Sequence, residues 1–171
     1  MYLVVCLGNP GIEYKKTYHN IGFLTADVLL DEIEVKSVKK ECDSVCYHTM
    51  INNIKTIVVK PQTFMNLSGN AVLKLKSKYK VDNKNIIVIA DDIDLKLGDV
   101  RYRESGSAGT HNGLRNIVQN IGTDFKRIRI GIGRGEGDLA DFVLSKINND
   151  NFEVLQNSFS VACDKIFQVI K

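Results

Sequence analysis

No apolar run in this 171-residue chain approaches the ~18 residues that a membrane-spanning helix requires, so a bilayer-embedded protein is not expected. The opening segment Met1-Tyr2-Leu3-Val4-Val5-Cys6-Leu7 has no basic stretch before it of the kind a secretory signal carries. The expectation is a soluble, cytoplasmic protein. Cysteine is sparse. Cys6, Cys42, Cys46 and Cys163 form neither a CxxC pair nor a dense framework, which suits free thiols in a reducing compartment. Cys42, Cys46 and His48 make a partial metal-ligand set, but a fourth ligand is missing and His48 falls in a strand-like stretch, so no metal and no other cofactor is expected. Internal repeats, low-complexity segments and linkers are also lacking. A hydrophobic content of 44% is enough for a full core, and the length fits one domain, residues 1–171, better than two.

Arginine is missing from the first hundred residues. All six arginines, Arg101, Arg103, Arg115, Arg127, Arg129 and Arg134, fall in one stretch, where Lys126 joins them. Between Val100 and Gly135 these seven bases face only Glu104 and Asp124, a local balance of +5, against −2 for the rest of a chain whose net charge is +3. A guanidinium grips a phosphate through two parallel bonds where lysine acts as a point charge. Phosphate contact is therefore expected of this stretch, with Arg103, Arg129 and Arg134 the first candidates, the alternative being an ordinary solvated face.

The hydrophobic pattern alternates between strand and helix. Tyr2 to Leu7 reads as a buried strand ended by Asn9-Pro10-Gly11, and Asn20 as the N-cap of a helix over roughly Ile21 to Ile33. Ser44 to Ile51 and Ile54 to Lys60 flank a hairpin turn at Asn52-Asn53. A helix is predicted over Leu67 to Tyr79, a second buried strand over Asn85 to Ala90 with Asp91 just beyond its end, a strand over Leu97 to Tyr102 and a helix over Gly113 to Ile121. Arg127 to Ile132 alternates basic and apolar residues, which predicts a strand with one face packed and the other in solvent. Asp138 to Lys146 and Phe152 to Ile170 read as helical. The expected fold is a three-layer α/β/α domain around a mixed, mostly parallel sheet.

Four polar motifs adjoin these strands: Gly8-Asn9-Pro10-Gly11 with His19-Asn20; Phe64-Met65-Asn66-Leu67-Ser68-Gly69; Asp91-Asp92-Ile93-Asp94; and Gly106-Ser107-Ala108-Gly109-Thr110-His111-Asn112-Gly113. An α/β fold brings such strand ends to one edge of the sheet. His19, in a loop, and Asp91, at a strand end, suit an imidazole oriented and charge-compensated by a carboxylate. Asn9, Asn66 and Asn112 offer amides that pair with a peptide backbone without reading its side chains; the bland alternative is that Asn9 shapes a turn while Asn66 and Asn112 cap helices. Tyr14 is expected to line the entrance, where its ring can stack and its hydroxyl bond, the alternative being an ordinary surface residue. Three neighbouring aspartates invite a magnesium reading, but Asp92 and Asp94 need not face the way Asp91 does, and Asp94 is read as bracing the turn. Gly106, Gly109 and Gly113 permit close backbone approach ahead of a helix start that favours negative charge. Gly131-Ile132-Gly133-Arg134-Gly135 lacks the dinucleotide spacing and any following Lys-Ser or Lys-Thr, so it reads as a strand end.

The whole set, in this order and across nearly the entire chain, resembles the bacterial-type peptidyl-tRNA hydrolases. The resemblance implies an esterase that cleaves the bond between a peptide and the 3′ end of tRNA and so recycles the tRNA. It implies His19 as the activator of water with Asp91 as its partner, Asn9 and Asn66 as substrate binders, Met65 at the pocket wall and Asn112 positioning water or the transition state. The expected partner is peptidyl-tRNA, the expected state a monomer, and the family is not metal-dependent. Thr110 stands where the family commonly has glycine, and many relatives continue beyond the position of Lys171. A non-catalytic RNA-binding protein on the same scaffold is the competing class, against which the retained His19, Asp91, Asn9, Asn66 and Asn112 argue. A nucleotide-binding enzyme rests only on generic glycine-rich turns.

Overall fold

Two runs, Tyr2–Cys6 and residues 86–90, are apolar at nearly every position, a pattern that requires a strand covered on both faces. In the computed structural model, which describes residues 1–171, they form β1 and most of β5 (Ile86–Asp92) at the centre of a seven-stranded sheet. The remaining elements are α1 (Ile21–Asp31), β2 (Val35–Glu41), β3 (Ser44–Ile51), β4 (Ile54–Pro61), α2 (Ser68–Tyr79), β6 (Val100–Arg103), α3 (Asn112–Ile121), β7 (Lys126–Gly131), α4 (Leu139–Val143) and α5 (Asn149–Val169). Strand order is β2-β3-β4-β1-β5-β7-β6. Strands β4, β1, β5 and β7 pair in parallel, whereas β3 and β6 run against their neighbours, so the sheet is mixed with five of its seven strands pointing one way.

Successive strand residues point to opposite faces, and each face has its own apolar layer. Val4, Cys6, Ile87 and Ile89 pack with α1 and α5; Leu3, Val5, Leu7, Ile86 and Val88 pack with α2 and α3. Each of these side chains is fully buried, worth about 1.5–3 kcal/mol for the larger ones. Truncating Ile89 to alanine would cost about 2–5 kcal/mol. The three layers follow from this two-sided burial.

The hairpin turn at Asn52-Asn53 has φ of 50° and 64°, the left-handed pair that a two-residue turn between twisted strands needs. Strand β2 is absent from the sequence reading because five of its seven residues are exposed and no alternation marks it. Its lysines occupy the outer edge of the sheet, where charge discourages pairing with another chain.

From β1 the chain passes through α1, β2 and β3 to β4 on one side; from β5 it passes through β6 and α3 to β7 on the other. The carboxyl ends of β1 and β5 therefore flank the switch point, where α/β sheets leave a crevice. The first motif follows β1 and the third closes β5. Asp91 lies within β5, one residue from its end rather than beyond it. It continues the row of Ile87 and Ile89 on the α1 face.

Candidate active site

His19 sits in a single 3-10 turn, Tyr18–Asn20, that leads directly into α1. Its Nδ1 lies 2.8 Å from Oδ2 of Asp91, and Nε2 of His111 lies 3.0 Å from the other carboxylate oxygen. The two rings stand 4.8 Å apart, tilted by 47°. Asp91 is 2% exposed, so its charge has two imidazole N–H groups in place of water.

The second nitrogen of each ring fixes its tautomer. Nδ1 of His111 accepts the backbone N–H of Leu114 at 3.2 Å, so it carries no proton and the ring donates to Asp91 through Nε2. His19 donates through Nδ1, which leaves Nε2 as a lone-pair base. Burial disfavours the charged form of His19, but the charge of Asp91 and its hydrogen bond outweigh this and raise the pKa above 6.5. Burial likewise opposes ionisation of Asp91, yet the two imidazoles hold it far below the usual carboxylate range. The pair thus consists of a carboxylate that stays ionised and a histidine able to take up a proton beside it.

His111 was not among the residues singled out from the sequence. Its signal was position: a polar side chain immediately before the helix at Asn112, the place from which capping occurs. The capping alternative expected of Asn112 does not hold: Asn112 is exposed at the first turn of α3 and is not the cap. Asn20 also departs from expectation. It stands at the N-cap position of α1 without capping it, because its side chain clasps Asn9: Nδ2 donates to the Asn9 carbonyl at 2.9 Å and Oδ1 accepts the Asn9 N–H at 2.8 Å.

Asn9 is thereby rigid. Its Oδ1 accepts the backbone N–H of Met65 at 2.7 Å, which turns the amide NH2 to the opposite side and ties the first motif to the second. Met65 is buried against Gly113, where any Cβ would stand 2.6 Å from the Met65 sulfur. Phe64 holds φ of 61° and leaves its ring half-exposed, edge-on to Tyr14 with centroids 6.3 Å apart. Asn66 follows, exposed in the 3-10 turn Met65–Leu67, and caps no helix.

The cavity beside His19 is about 210 Å³ and is bounded by Asp91, His111, Asn112, Arg129 and the apolar Ile93, Leu139 and Val143. Asn9 instead lines a separate cavity with Asn20, Phe23 and Lys60. Tyr14, Met65 and Asn66 border neither. The structure therefore gathers His19, Asp91 and Asn112 in one cavity and reaches Asn9 and Met65 through a backbone clasp.

The turn after β5 is braced by Asp92 rather than Asp94. Oδ1 of Asp92 accepts the Asp94 N–H at 2.8 Å, while Asp94 pairs with Arg134 at the surface. Of the arginines, Arg103 is exposed on β6 and Arg129 enters the cavity, its Nη2 donating to the Ser107 carbonyl at 2.6 Å. Arg127 overturns the expectation of a solvent face on β7, being only 1% exposed beneath the Gly106-Ser107 loop.

The ligand atoms of His19, Asp91 and His111 lie within 4.8 Å of one another, the donor types of a metal site. Both carboxylate oxygens and one nitrogen of each ring are already joined by hydrogen bonds, so a cation there would have to displace two N–H protons. Cys42, Cys46 and His48 do not converge as ligands: His48 Nε2 bonds Glu41 at 2.8 Å, and burial pushes the Cys46 thiol up to about 12.

The family model described as peptidyl-tRNA hydrolase matches residues 3–171. A peptidyl-tRNA hydrolase of Clostridium botulinum (strain Eklund 17B / Type B) is 44% identical over 172 residues, covering 100% of this chain and 90% of the relative. One from Alkaliphilus oremlandii is 45% identical over 175 residues, covering 100% and 94%. The crystal structure of peptidyl-tRNA hydrolase from Acinetobacter baumannii superposes with a TM-score of 0.92 at 32% identity, over 99% of this chain and 88% of that one. With the four motifs, the mixed sheet and the full-length similarity in agreement, the chain belongs to the peptidyl-tRNA hydrolase family.

Proposed function

We propose that this enzyme hydrolyses the ester between a peptide and the 3′ end of tRNA through a water activated by Nε2 of His19. The observation that carries the reading is the grip on Asp91, one oxygen held by Nδ1 of His19 and the other by Nε2 of His111. His19 takes a proton from water as the hydroxide oxygen bonds to the ester carbonyl carbon. Asp91 compensates the imidazolium that forms, and His111 keeps the carboxylate from turning away. As the tetrahedral species collapses, the C–O bond to the ribose breaks and His19 returns the proton to the leaving ribose oxygen. The products are a peptide carboxylic acid, which loses its proton to solvent, and a tRNA with its terminal hydroxyl restored.

Asn112, at the first turn of α3, positions the water or the developing oxyanion, where its amide and the helix start both favour negative charge. Asn9 and Asn66 take the peptide backbone, the Met65 N–H holds Asn9 in place, and Tyr14 with Phe64, outside both cavities, meets the incoming substrate. Arg103, Arg129 and Arg134 receive tRNA phosphates. The enzyme acts as a monomer of one domain, residues 1–171, in the cytoplasm and without a cofactor.

The test is deacylation of an N-acylated aminoacyl-tRNA against the free aminoacyl-tRNA. His19→Ala should lower turnover by about 10² to 10⁴ while tRNA binding is retained. A folded His19→Ala protein with near-normal turnover would sink the assignment, and a wild-type protein that binds tRNA without cleaving either substrate would favour a pure RNA binder.

A further inference from the structure

Arg127 is the largest side chain with almost no exposure, yet no carboxylate pairs with it. An isolated buried cation is costly unless its donors are satisfied. Here four backbone carbonyls take the two terminal nitrogens, while the buried Nε has no hydrogen-bond partner. Nη1 donates to the carbonyls of Gly106 and Ser107 at 2.7 and 3.1 Å, and Nη2 to those of Thr123 and Phe125 at 2.7 and 3.0 Å. The guanidinium plane lies over the Phe125 ring, 4.0 Å from its centroid.

Two of these carbonyls belong to the loop between β6 and α3, which is also held by the Gly106 N–H on the Thr123 carbonyl at 3.3 Å, by Arg115 Nε on the Gly109 carbonyl at 3.1 Å and by burial of Ala108. Gly106 and Gly109 hold φ of 141° and 59° with nothing packed where a Cβ would be. The same loop delivers Ala108 to Asn112 to the His19 cavity, and the His111 N–H reaches back to the Ala108 carbonyl at 3.4 Å. The Ser107 carbonyl is shared, accepting from Arg127 and from Arg129. An anchor on rigid β7 is thus connected, four residues along the chain, to the histidine that holds Asp91.

We propose that Arg127 is a positioning residue for the hydrolytic step: its buried guanidinium fixes the Gly106-Ser107 backbone and thereby sets His111 and Asn112 against Asp91 and the reacting ester. The inference rests on the roles given above to His111 and Asn112. It separates Arg127 from its strand neighbour Arg129, two residues along and open to the cavity. Only a planar fork reaches four carbonyls at once; a lysine ammonium keeps the charge but has three donors at a single point.

Arg127→Lys and Gly106→Ala test the assignment from the two ends of the contact. In Arg127→Lys, kcat should fall by about 10²-fold, the scale of a small misplacement of catalytic groups, with KM for tRNA and the salt dependence of binding unchanged. The midpoint of the kcat pH profile should move as His111 loses its register on Asp91. Gly106→Ala disturbs the loop backbone without touching the core, so it should lower kcat in the same way, and the double variant should lose less than the product of the two. A folded Arg127→Lys protein with normal kcat and pH profile overturns the proposal. So does a loss confined to KM with a shallower salt slope, which would make Arg127 a phosphate contact, and so do losses that multiply in the double variant. If Arg127→Lys does not fold, Gly106→Ala decides alone, an unchanged kcat counting against the idea. These outcomes stand apart from that of His19→Ala, which tests the base itself.

Discussion

Two carboxylates in this protein are gripped by histidine, and only one of them has the makings of a reactive site. Asp91 holds His19 and His111 at the mouth of the sheet. Glu41, at the end of β2, accepts His48 Nε2 at 2.8 Å on one oxygen and Lys78 at 2.7 Å, together with the Tyr79 hydroxyl, on the other. The ingredients are similar. The difference lies in what is left over. The Lys78 cation already compensates Glu41, and its contacts tie the edge hairpin to α2. No lysine or arginine pairs with Asp91, so its charge remains available to a proton arriving on His19, whose free nitrogen adjoins a cavity. A histidine–carboxylate pair becomes chemically useful when the carboxylate lacks another cation and the outer nitrogen has somewhere to act.

The largest effect should separate the two. Asp91→Asn keeps the size but removes the charge that stabilises the imidazolium, and turnover should drop by up to about 10⁴-fold, as for the carboxylate of a hydrolytic triad. Glu41→Gln should leave turnover within about twofold and instead cost about 1–3 kcal/mol of stability, toward the low end because the Lys78 side chain is 52% exposed. Steady-state kinetics and denaturant melts on both variants make the comparison. If Glu41→Gln lost turnover as Asp91→Asn does, the distinction between the clusters would collapse.

A smaller, two-part effect is expected at His111. His111→Ala removes both the bond to Asp91 and the cap on Leu114, so turnover should fall by about 10–100-fold, as when an outer partner of a site is lost, with a cap contribution of about 1 kcal/mol. Kinetics and thermal unfolding read the two parts separately. A loss of stability with full turnover would reduce His111 to a helix cap and leave the Asp91 cluster as a simple pair.

That His111 escaped sequence reading while His19 and Asp91 did not has a physical cause. His19 follows β1 and Asp91 lies at the end of β5, buried strands whose ends the sheet must bring together, so their meeting was legible from the apolar runs of β1 and β5. The role of His111 depends on which ring nitrogen faces Leu114, a fact of one helix terminus that no spacing encodes. Arg127 was misread for a related reason. Alternating basic and apolar residues describe a half-exposed strand unless a loop covers the polar face, and the loop that does so carries glycines at positive φ whose path depends on Arg127 itself. Asn20 looked like a cap because caps are local, whereas the Asn9 backbone it serves lies across the motif. Apart from the exposed edge strand β2, the strands, helices and the hairpin at Asn52-Asn53 were thus readable from periodicity and turn chemistry. The clasps between motifs were not.

The smallest effect, and the one that sharpens the comparison most, is on pH dependence. His19 has a raised pKa because Asp91 favours its charged form against burial, so as a base it becomes competent only as pH rises through a value above 6.5. Its contribution to stability runs the other way. The interaction is fully present below the unfolded value near 6.5 and is lost as pH rises through the folded pKa. Activity should therefore climb across the same window in which this one contribution to stability declines. Glu41 behaves oppositely: burial works against its ionisation, but the bonds from Lys78, Tyr79 and His48 lower its pKa from 4.5 to about 2, so its contribution is present above 4.5 and fades as pH falls toward 2. Melting temperatures from pH 2 to 9 and kcat/KM from pH 5 to 9 test both signs. Asp91→Asn should move the midpoint of its residual activity to lower pH, since burial then acts on His19 without an opposing charge. Glu41→Gln should flatten the acid limb of the stability curve and leave the activity profile in place. An Asp91→Asn midpoint that stays put would mean that His19 is not the group whose deprotonation limits turnover.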